Sequence, residues 1–356
     1  MSFRYKKIWV LFFISKLAYT FLALAVYSRF TTLGDSAAYI ASSHSKVNWF
    51  INSTAIMDYT ASSASFFFGD YGTHIFFCIL AFYGIYTSLE KANLNKRNLY
   101  LTLVFLSLPS IGIWTSIVSK EAILCFACGI FIRFLIQVHR EEPIDKLIGL
   151  TIAIYIIGIF KPQYLAVFIP ILLFVKYKNT YFRSISAKII ILLSYVVTII
   201  SLAVIYNELI QQTALIVSSH FNPDAASTRD EALWKEPYDF FTKLPYGFYI
   251  SFVGPTFAEA TNKITHLMSF IESWIIILIG IRFYLYSFLE RLKNLRLDIN
   301  ILLISVVIYF GFMFFHYPFG VMNPGSAIRY RAGFLPAMFI MLMYFNYHRS
   351  KKVRIS

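Results

Sequence analysis

Ile8–Tyr27 reads IWVLFFISKLAYTFLALAVY, an apolar run with one lysine and no acid. As a helix rising ~1.5 Å per residue it is about 30 Å long, the thickness of a bilayer's hydrocarbon core. Nine further apolar runs follow, at Gly72–Leu89, Leu99–Val118, Ala122–Val138, Leu147–Phe160, Tyr164–Val175, Ile189–Tyr206, Leu267–Leu289, Ile299–Phe315 and Gly333–Tyr347. Hydrocarbon offers a backbone no hydrogen-bond partner, so continuous apolar runs predict helices. They lack the two-residue alternation of an outer-membrane barrel strand. The composition agrees, at 58% hydrophobic and 14% charged with mean hydropathy +0.64. The expected fold is all-α, a polytopic integral membrane protein of about ten transmembrane helices. Residues 1–356 form a single transmembrane domain with two large outer loops, about 28–71 and 207–266.

The net charge of +14 would suit a nucleic-acid partner, but its distribution points elsewhere. With the N-terminus inside, the inner segments hold 19 of the 32 Lys and Arg residues. These include Arg4, Lys6 and Lys7, Lys91, Lys96 and Arg97, Arg140 and Lys146, and the basic C-terminus from Arg349 to Arg354. The bias places both termini in the cytoplasm and makes the basic patches orientation signals that favour anionic headgroups. The expected partner is the lipid bilayer, and no nucleic acid. Lys6-Lys7 followed by Ala23-Leu24-Ala25 imitates a signal peptide, but the long aromatic-rich run reads as an uncleaved first helix.

Metal and cofactor chemistry find no purchase. Cys78, Cys125 and Cys128 all fall inside spans, so Cys125-x-x-Cys128 reads as packing. His44, His74, His139, His220, His266 and His348 show no ligand spacing. No Walker loop, dinucleotide fingerprint, GxSxG elbow or HExxH occurs, which excludes ATP-driven transport by this chain alone. No metal and no cofactor are expected.

Attention therefore falls on the outer rim. Leu147–Phe160, 14 residues, makes roughly 21 Å of helix, and the run after it is shorter. Both cross only if Lys161-Pro162-Gln163 lies below the outer surface or flanking residues are recruited. Lys161 either faces a cavity or snorkels outward from a short helix, and the sequence leaves both open. Asp35, in Gly34-Asp35-Ser36-Ala37-Ala38-Tyr39, is a candidate base, cation ligand or partner for a basic group; equally it starts a helix as an N-cap. Trp114-Thr115-Ser116-Ile117-Val118-Ser119-Lys120-Glu121 joins two spans with almost no loop. It fixes two ionisable groups where such groups are costly. Glu121 reads as a helix start and Lys120 as facing an anion, against the alternative of a Ser119 cap with interfacial anchors.

The last outer loop carries Arg329 and Arg331, in Asn323-Pro324-Gly325-Ser326-Ala327-Ile328-Arg329-Tyr330-Arg331, where orientation logic disfavours arginine. Guanidinium groups bind phosphate bidentately. Ion pairing with Asp35 or Glu259 is the competing account. Glu259 follows Gly254-Pro255-Thr256-Phe257 in the second large loop, whose first half is polar from Asn222 to Glu231 and whose second half is aromatic and broken by Pro and Gly. That half suits the headgroup layer. His316 is a lesser proton-transfer candidate, and Glu272, inside a span, must face protein or a cavity.

Five stretches in this order resemble bacterial multispanning enzymes that handle polyprenyl-diphosphate sugars. These are the Wzy and EpsG-like polysaccharide polymerases and related GT-C glycosyltransferases. The stretches are Gly34-Asp35-Ser36…Tyr39, Leu108-Pro109-Ser110…Lys120-Glu121, Lys161-Pro162-Gln163, Leu244-Pro245…Gly254-Pro255 and Arg329-Tyr330-Arg331…Pro336. The resemblance implies a polyprenyl-diphosphate-linked glycan donor and an active site on the outer face of a bacterial inner membrane. It further implies phosphate binding by Arg329, Arg331, Lys120 and Lys161, and an acid (Asp35, Glu259 or Glu121) that activates an acceptor hydroxyl. Asp35 stands alone where GT-C enzymes carry paired acids, which favours metal-free polymerase chemistry. A chain-length regulator and a flippase are the implied protein partners. The rivals are a GT-C transferase using a polyprenyl-phosphate sugar and a lipid-linked glycan transporter. Transporters favour polar groups at the midplane and repeated halves; neither is seen here.

Overall fold

The computed structural model describes residues 5–42, 50–145, 147–177, 184–210, 212, 229, 233–234, 236, 238–293 and 299–355. Most of the polar stretch from Asn222 to Glu231 lies outside them, Arg229 excepted. So do His44, His220 and the basic residues Arg4, Lys146, Lys178, Arg183 and Arg296. Among the described residues there is helix and no strand. Five helical segments are long and apolar enough to cross a bilayer: Lys6–Arg29, Ser53–Ala92, Lys120–His139, Ile264–Arg282 and Leu303–Gly320. Leu147–Phe160, Pro162–Tyr177 and Ile189–Leu202 are apolar but shorter. This is the composition of a helical membrane protein.

The chain forms two compact units, Met1–Val175 with Ala332–Ser356, and Lys176–Arg331. The first holds α1 (Lys6–Ala25), α2 (Ser36–Ala41), α3 (Ser53–Ala92), α4 (Lys96–Leu106), α5 (Pro109–Trp114), α6 (Lys120–His139), α7 (Leu147–Phe160) and most of α8 (Leu165–Tyr177). The second holds α9 (Ile185–Ile205), α10 (Asp239–Thr242), α11 (Leu244–Val253), α12 (Phe257–Asn262), α13 (Ile264–Lys293) and α14 (Ile299–Gly320). The boundary falls inside α15 (Pro324–Ile355).

Three features depart from the hydropathy reading. The expected span Leu99–Val118 is broken. Pro109 lacks an N–H and pushes Leu108 into extended backbone (ψ 144°), so α4 stops and α5 starts afresh with Pro in its first turn. The expected loop to Tyr71 becomes helix at Ser53. The Asn52 side chain caps it, accepting from the N–H groups of Thr54 (2.8 Å) and Ala55 (3.3 Å), and α3 then runs to Ala92 with a break at Gly69. The last expected loop is also helical. Asn323 accepts from Ser326 N at 3.0 Å and Pro324 opens α15, so Arg329 and Arg331 ride on a helix.

In the first unit α3 and α6 approach backbone to backbone. A Cβ on Gly129 would overlap the backbone of Gly84, and one on Gly84 would meet Phe126 Cα at 2.5 Å. Small residues at a helix crossing permit such contact. The second unit is built round Trp234, Phe240, Ile250, Phe314, Tyr317, Val321 and Met322. Its polar atoms are paired in series: Trp234 Nε1 donates to Tyr317 Oη (2.7 Å), which donates to the Phe240 carbonyl (3.1 Å).

Candidate functional site

Residues 115–119 leave the helical ladder between α5 and α6, and all five are buried. Buried backbone without helical partners must be satisfied by something else. Lys16 of α1 donates from Nζ to the Thr115 carbonyl (2.7 Å) and to Thr115 Oγ1 (2.5 Å), and the Thr115 hydroxyl itself donates to Ile111 O. Thr20 Oγ1 donates to Ser116 O (2.8 Å), and Ser36 Oγ of α2 to Val118 O (2.6 Å). His74 Nδ1 of α3 accepts from Val118 N at 3.1 Å. Ser119 caps α6, accepting from Ala122 N (3.0 Å) while donating to Trp114 O (2.6 Å). Three other helices thus pin this loop and fix where α6 begins.

That start presents Lys120 and Glu121 in different directions, as adjacent helical residues must. Lys120 Nζ donates to Ser53 Oγ (3.2 Å) and Thr54 Oγ1 (3.0 Å) and lies 6.0 Å over the Tyr39 ring. Tyr39 Oη donates to Asp35 Oδ2 at 3.2 Å. Asp35 and Lys120 therefore belong to one cluster, assembled from α2 and the first turns of α3 and α6. Asp35 occupies the N-cap position of α2, but its side chain makes no capping bond there. Its exposed carboxylate instead faces the Tyr39 hydroxyl.

Glu121 is 1% exposed, in the first turn of α6, where a helix dipole favours an acid. Gly333 lies beside both it and Tyr164. A Cβ there would stand 3.8 Å from Glu121 Cγ and 3.4 Å from Tyr164 Oη. Lys161 lies at the break between α7 and a single 3₁₀ turn, Pro162–Tyr164, with φ −151° and ψ 72° and an intermediate exposure. The expected break is there.

The second unit holds the other candidates. Glu259 closes a capping box on α12, accepting from Thr256 N (2.6 Å) while its own N–H reaches Thr256 Oγ1 (3.3 Å). Both its oxygens also meet Arg229, Nε to Oε1 at 2.8 Å and Nη2 to Oε2 at 3.0 Å. Arg229 continues to the carbonyls of Gly254 (2.6 Å), Val321 and Gly320, and its N–H reaches Met322 O (3.2 Å). Burial pushes the Glu259 carboxyl up, but the Arg229 hydrogen bonds and charge with the Thr256 bonds outweigh it and hold it below its ordinary value. A carboxylate so bound is a poor proton acceptor, which weakens its candidacy as a base.

Arg331 is wholly buried. Nη1 donates to Phe252 O (2.5 Å) and Ser273 Oγ (2.6 Å), and the guanidinium lies 5.7 Å from the Phe252 ring centre. Among the described residues Nε and Nη2 have no hydrogen-bond partner. Those two N–H groups form one edge of the guanidinium fork, the edge that fits a two-oxygen anion. Glu272, next to Ser273 and itself buried, adds a favourable negative charge in the neighbourhood. Arg329 is intermediate in exposure and sits over the Tyr330 ring at 5.8 Å. His316 is buried, and its Nε2 donates to Ser251 O at 2.9 Å.

Sequence reasoning passed over Lys16, Ser36 and His74, which hold the loop, and Arg229, which holds Glu259. The available signals were an ionisable residue in mid-span for Lys16 and, for Ser36, its place in the Gly34-Asp35-Ser36 stretch; Arg229 carried none. Cys78, Cys125 and Cys128 are buried free thiols. Among the described residues no group of three His, Cys, Asp or Glu side chains could hold a metal. Compared with family models, curated proteins and solved structures, the chain matches none.

Proposed function

We propose that the chain is a membrane glycosyltransferase that joins polyprenyl-diphosphate-linked oligosaccharide repeat units at the outer face of a bacterial inner membrane. In this reading it has about ten spans and cytoplasmic termini. The observation that carries it is the fork of Arg331, which has no partner among the described residues. Leaving buried N–H groups on a cation without acceptors costs about 1–3 kcal/mol or more, and a bound phosphate would supply the acceptors. In the proposed step an acceptor hydroxyl loses its proton to a carboxylate and its oxygen bonds to the donor's anomeric carbon. The bond from that carbon to the diphosphate oxygen breaks, and the pair of electrons leaves with the diphosphate. Guanidinium groups at that leaving charge act where it develops; Arg331 is the first candidate and Arg329 the second. Asp35 is the exposed acid and the first candidate base, Glu121 the buried one, and Lys120 and Lys161 are further phosphate candidates. Diphosphate departure needs no metal when guanidinium groups meet its charge.

Surface glycan from cells carrying Arg331→Ala, Arg331→Lys or Asp35→Asn at equal membrane abundance tests the proposal. Arg331→Ala should leave single repeats where the parent makes long chains, Arg331→Lys should recover little because lysine lacks the fork, and Asp35→Asn should reduce polymer sharply. Parental chain lengths in Arg331→Ala would overturn the phosphate role. Loss of all surface glycan, single repeats included, would favour a transporter.

A further inference from the structure

α3 is 40 residues long, about 60 Å as a straight helix and twice the hydrocarbon thickness. It is not straight. Gly69 adopts φ 67° and ψ 172°, a conformation open in practice only to glycine, and divides the helix. Counting back from the end at Ala92, which Asn93 closes and Lys96 and Arg97 follow, the stretch to Gly72 measures roughly 31 Å, long enough to cross a bilayer by itself. The kink thus falls at the opposite boundary of the hydrocarbon, and residues 53–68 fall beyond it.

At that level the side chains change. Residues 53–65 bury small groups (Ala55, Ala61 and Ala64, with Met57). Phe66, Phe67, Phe68 and Tyr71 are then 60–85% exposed, and all six residues from Phe66 to Tyr71 lie open. A straight helix packed on one side cannot expose six consecutive residues; the kink lifts them away from the protein. The rings brace one another, Phe66 edge-on to Phe67 (5.2 Å) and Phe68 stacked on Phe76 (6.1 Å). The one acid among them, Asp70, accepts from Ser65 Oγ at 2.6 Å.

We propose that this aromatic knuckle is a membrane-interface anchor, inserted at the headgroup–acyl boundary of the leaflet opposite Lys96 and Arg97. Aromatic rings settle at that depth, and four in six residues, within a stretch from Ser53 to Glu90 that has no lysine or arginine, suit it better than an aqueous loop. The anchor sets the level of the outer half of α3, whose first residues, Ser53 and Thr54, hold Lys120. It requires only that α3 crosses a bilayer and is independent of the glycan chemistry.

Cysteine placed singly at Phe66, Phe67, Phe68 and Tyr71, carrying a nitroxide spin label, tests it in the full chain in phosphatidylcholine–phosphatidylglycerol vesicles. The chain's own cysteines are buried, and labelling of the unmodified chain gives the background. Power saturation should show relaxation by oxygen, which concentrates among acyl chains, exceeding that by a water-soluble nickel chelate at all four positions. Stronger relaxation by nickel would place the knuckle in water. Weak relaxation by both would mean that protein covers it, a second copy of this chain included. Either result overturns the anchor.

Discussion

Arginine presents five N–H groups in a rigid plane, and the two arginines of the second unit use them in opposite ways. Arg229 spends its fork on Glu259 and its remaining donors on carbonyls 25 and more residues away in sequence. Arg331 finds no acceptor for its fork among the described residues. Arg229→Ala should therefore destabilise the second unit, by about 3 kcal/mol if the pair behaves as a buried one and less for its residual exposure. Thermal unfolding in detergent would show it as a lowered Tm, and Arg229→Lys should regain only part. Because the Glu259 carboxyl is held below its ordinary value of 4.5, its contribution is complete above that pH and fades as pH falls through the lower folded value. Glu259→Gln should flatten that acid limb; an unchanged acid limb would mean that other carboxylates set it. Nothing in the sequence pairs residue 229 with residue 259. An isolated acid after an aromatic stretch broken by Pro and Gly reads as available, and only the fold shows that it is taken.

Helices bounded by abrupt chemistry were legible in advance. Leu147–Phe160 was read to the residue, because a run of Ile and Leu ends at Lys161-Pro162. Leu99–Val118 was not, since hydropathy averages over Pro109 and counts the Thr and Ser of 115–119 as tolerable within a span. The helix that begins at Ser53 within the first large loop is hidden for the converse reason: Ser, Thr and Asn look like loop residues, yet Asn52 caps α3 and its alanines pack closely. Close packing also governs the α3–α6 crossing. Gly129→Ala should force the two helices apart and cost about 1–3 kcal/mol, measurable as loss of folded monomer during size-exclusion chromatography in detergent. An unaffected protein would show that the crossing relaxes freely. At Gly69 a Cβ meets no atom within 4 Å, so any cost of Gly69→Ala comes from backbone conformation alone, about 1–3 kcal/mol.

At the scale of the molecule, composition alone announced a helical membrane protein, and five helices of spanning length and apolarity agree with it. Such a chain should stay with the membrane pellet after alkaline carbonate and high salt and leave it only in detergent. Release by carbonate would contradict membrane embedding. The division into two compact units was not legible, because hydropathy assigns each segment to lipid or water and says nothing of which segments share a core. The candidate residues divide accordingly: Asp35, Lys120, Glu121 and Lys161 belong to the first unit, Glu259, Arg329 and Arg331 to the second.

The pinned loop at 115–119 has a consequence for how the chain is made. Among the described residues the distant side chains that satisfy it, Lys16, Thr20, Ser36 and His74, all precede it in the sequence. A polypeptide threaded into the bilayer from its N-terminus delivers these partners before the loop emerges from the ribosome. The loop's carbonyls and N–H groups can then dock on arrival, and vectorial synthesis spares them a wait in hydrocarbon.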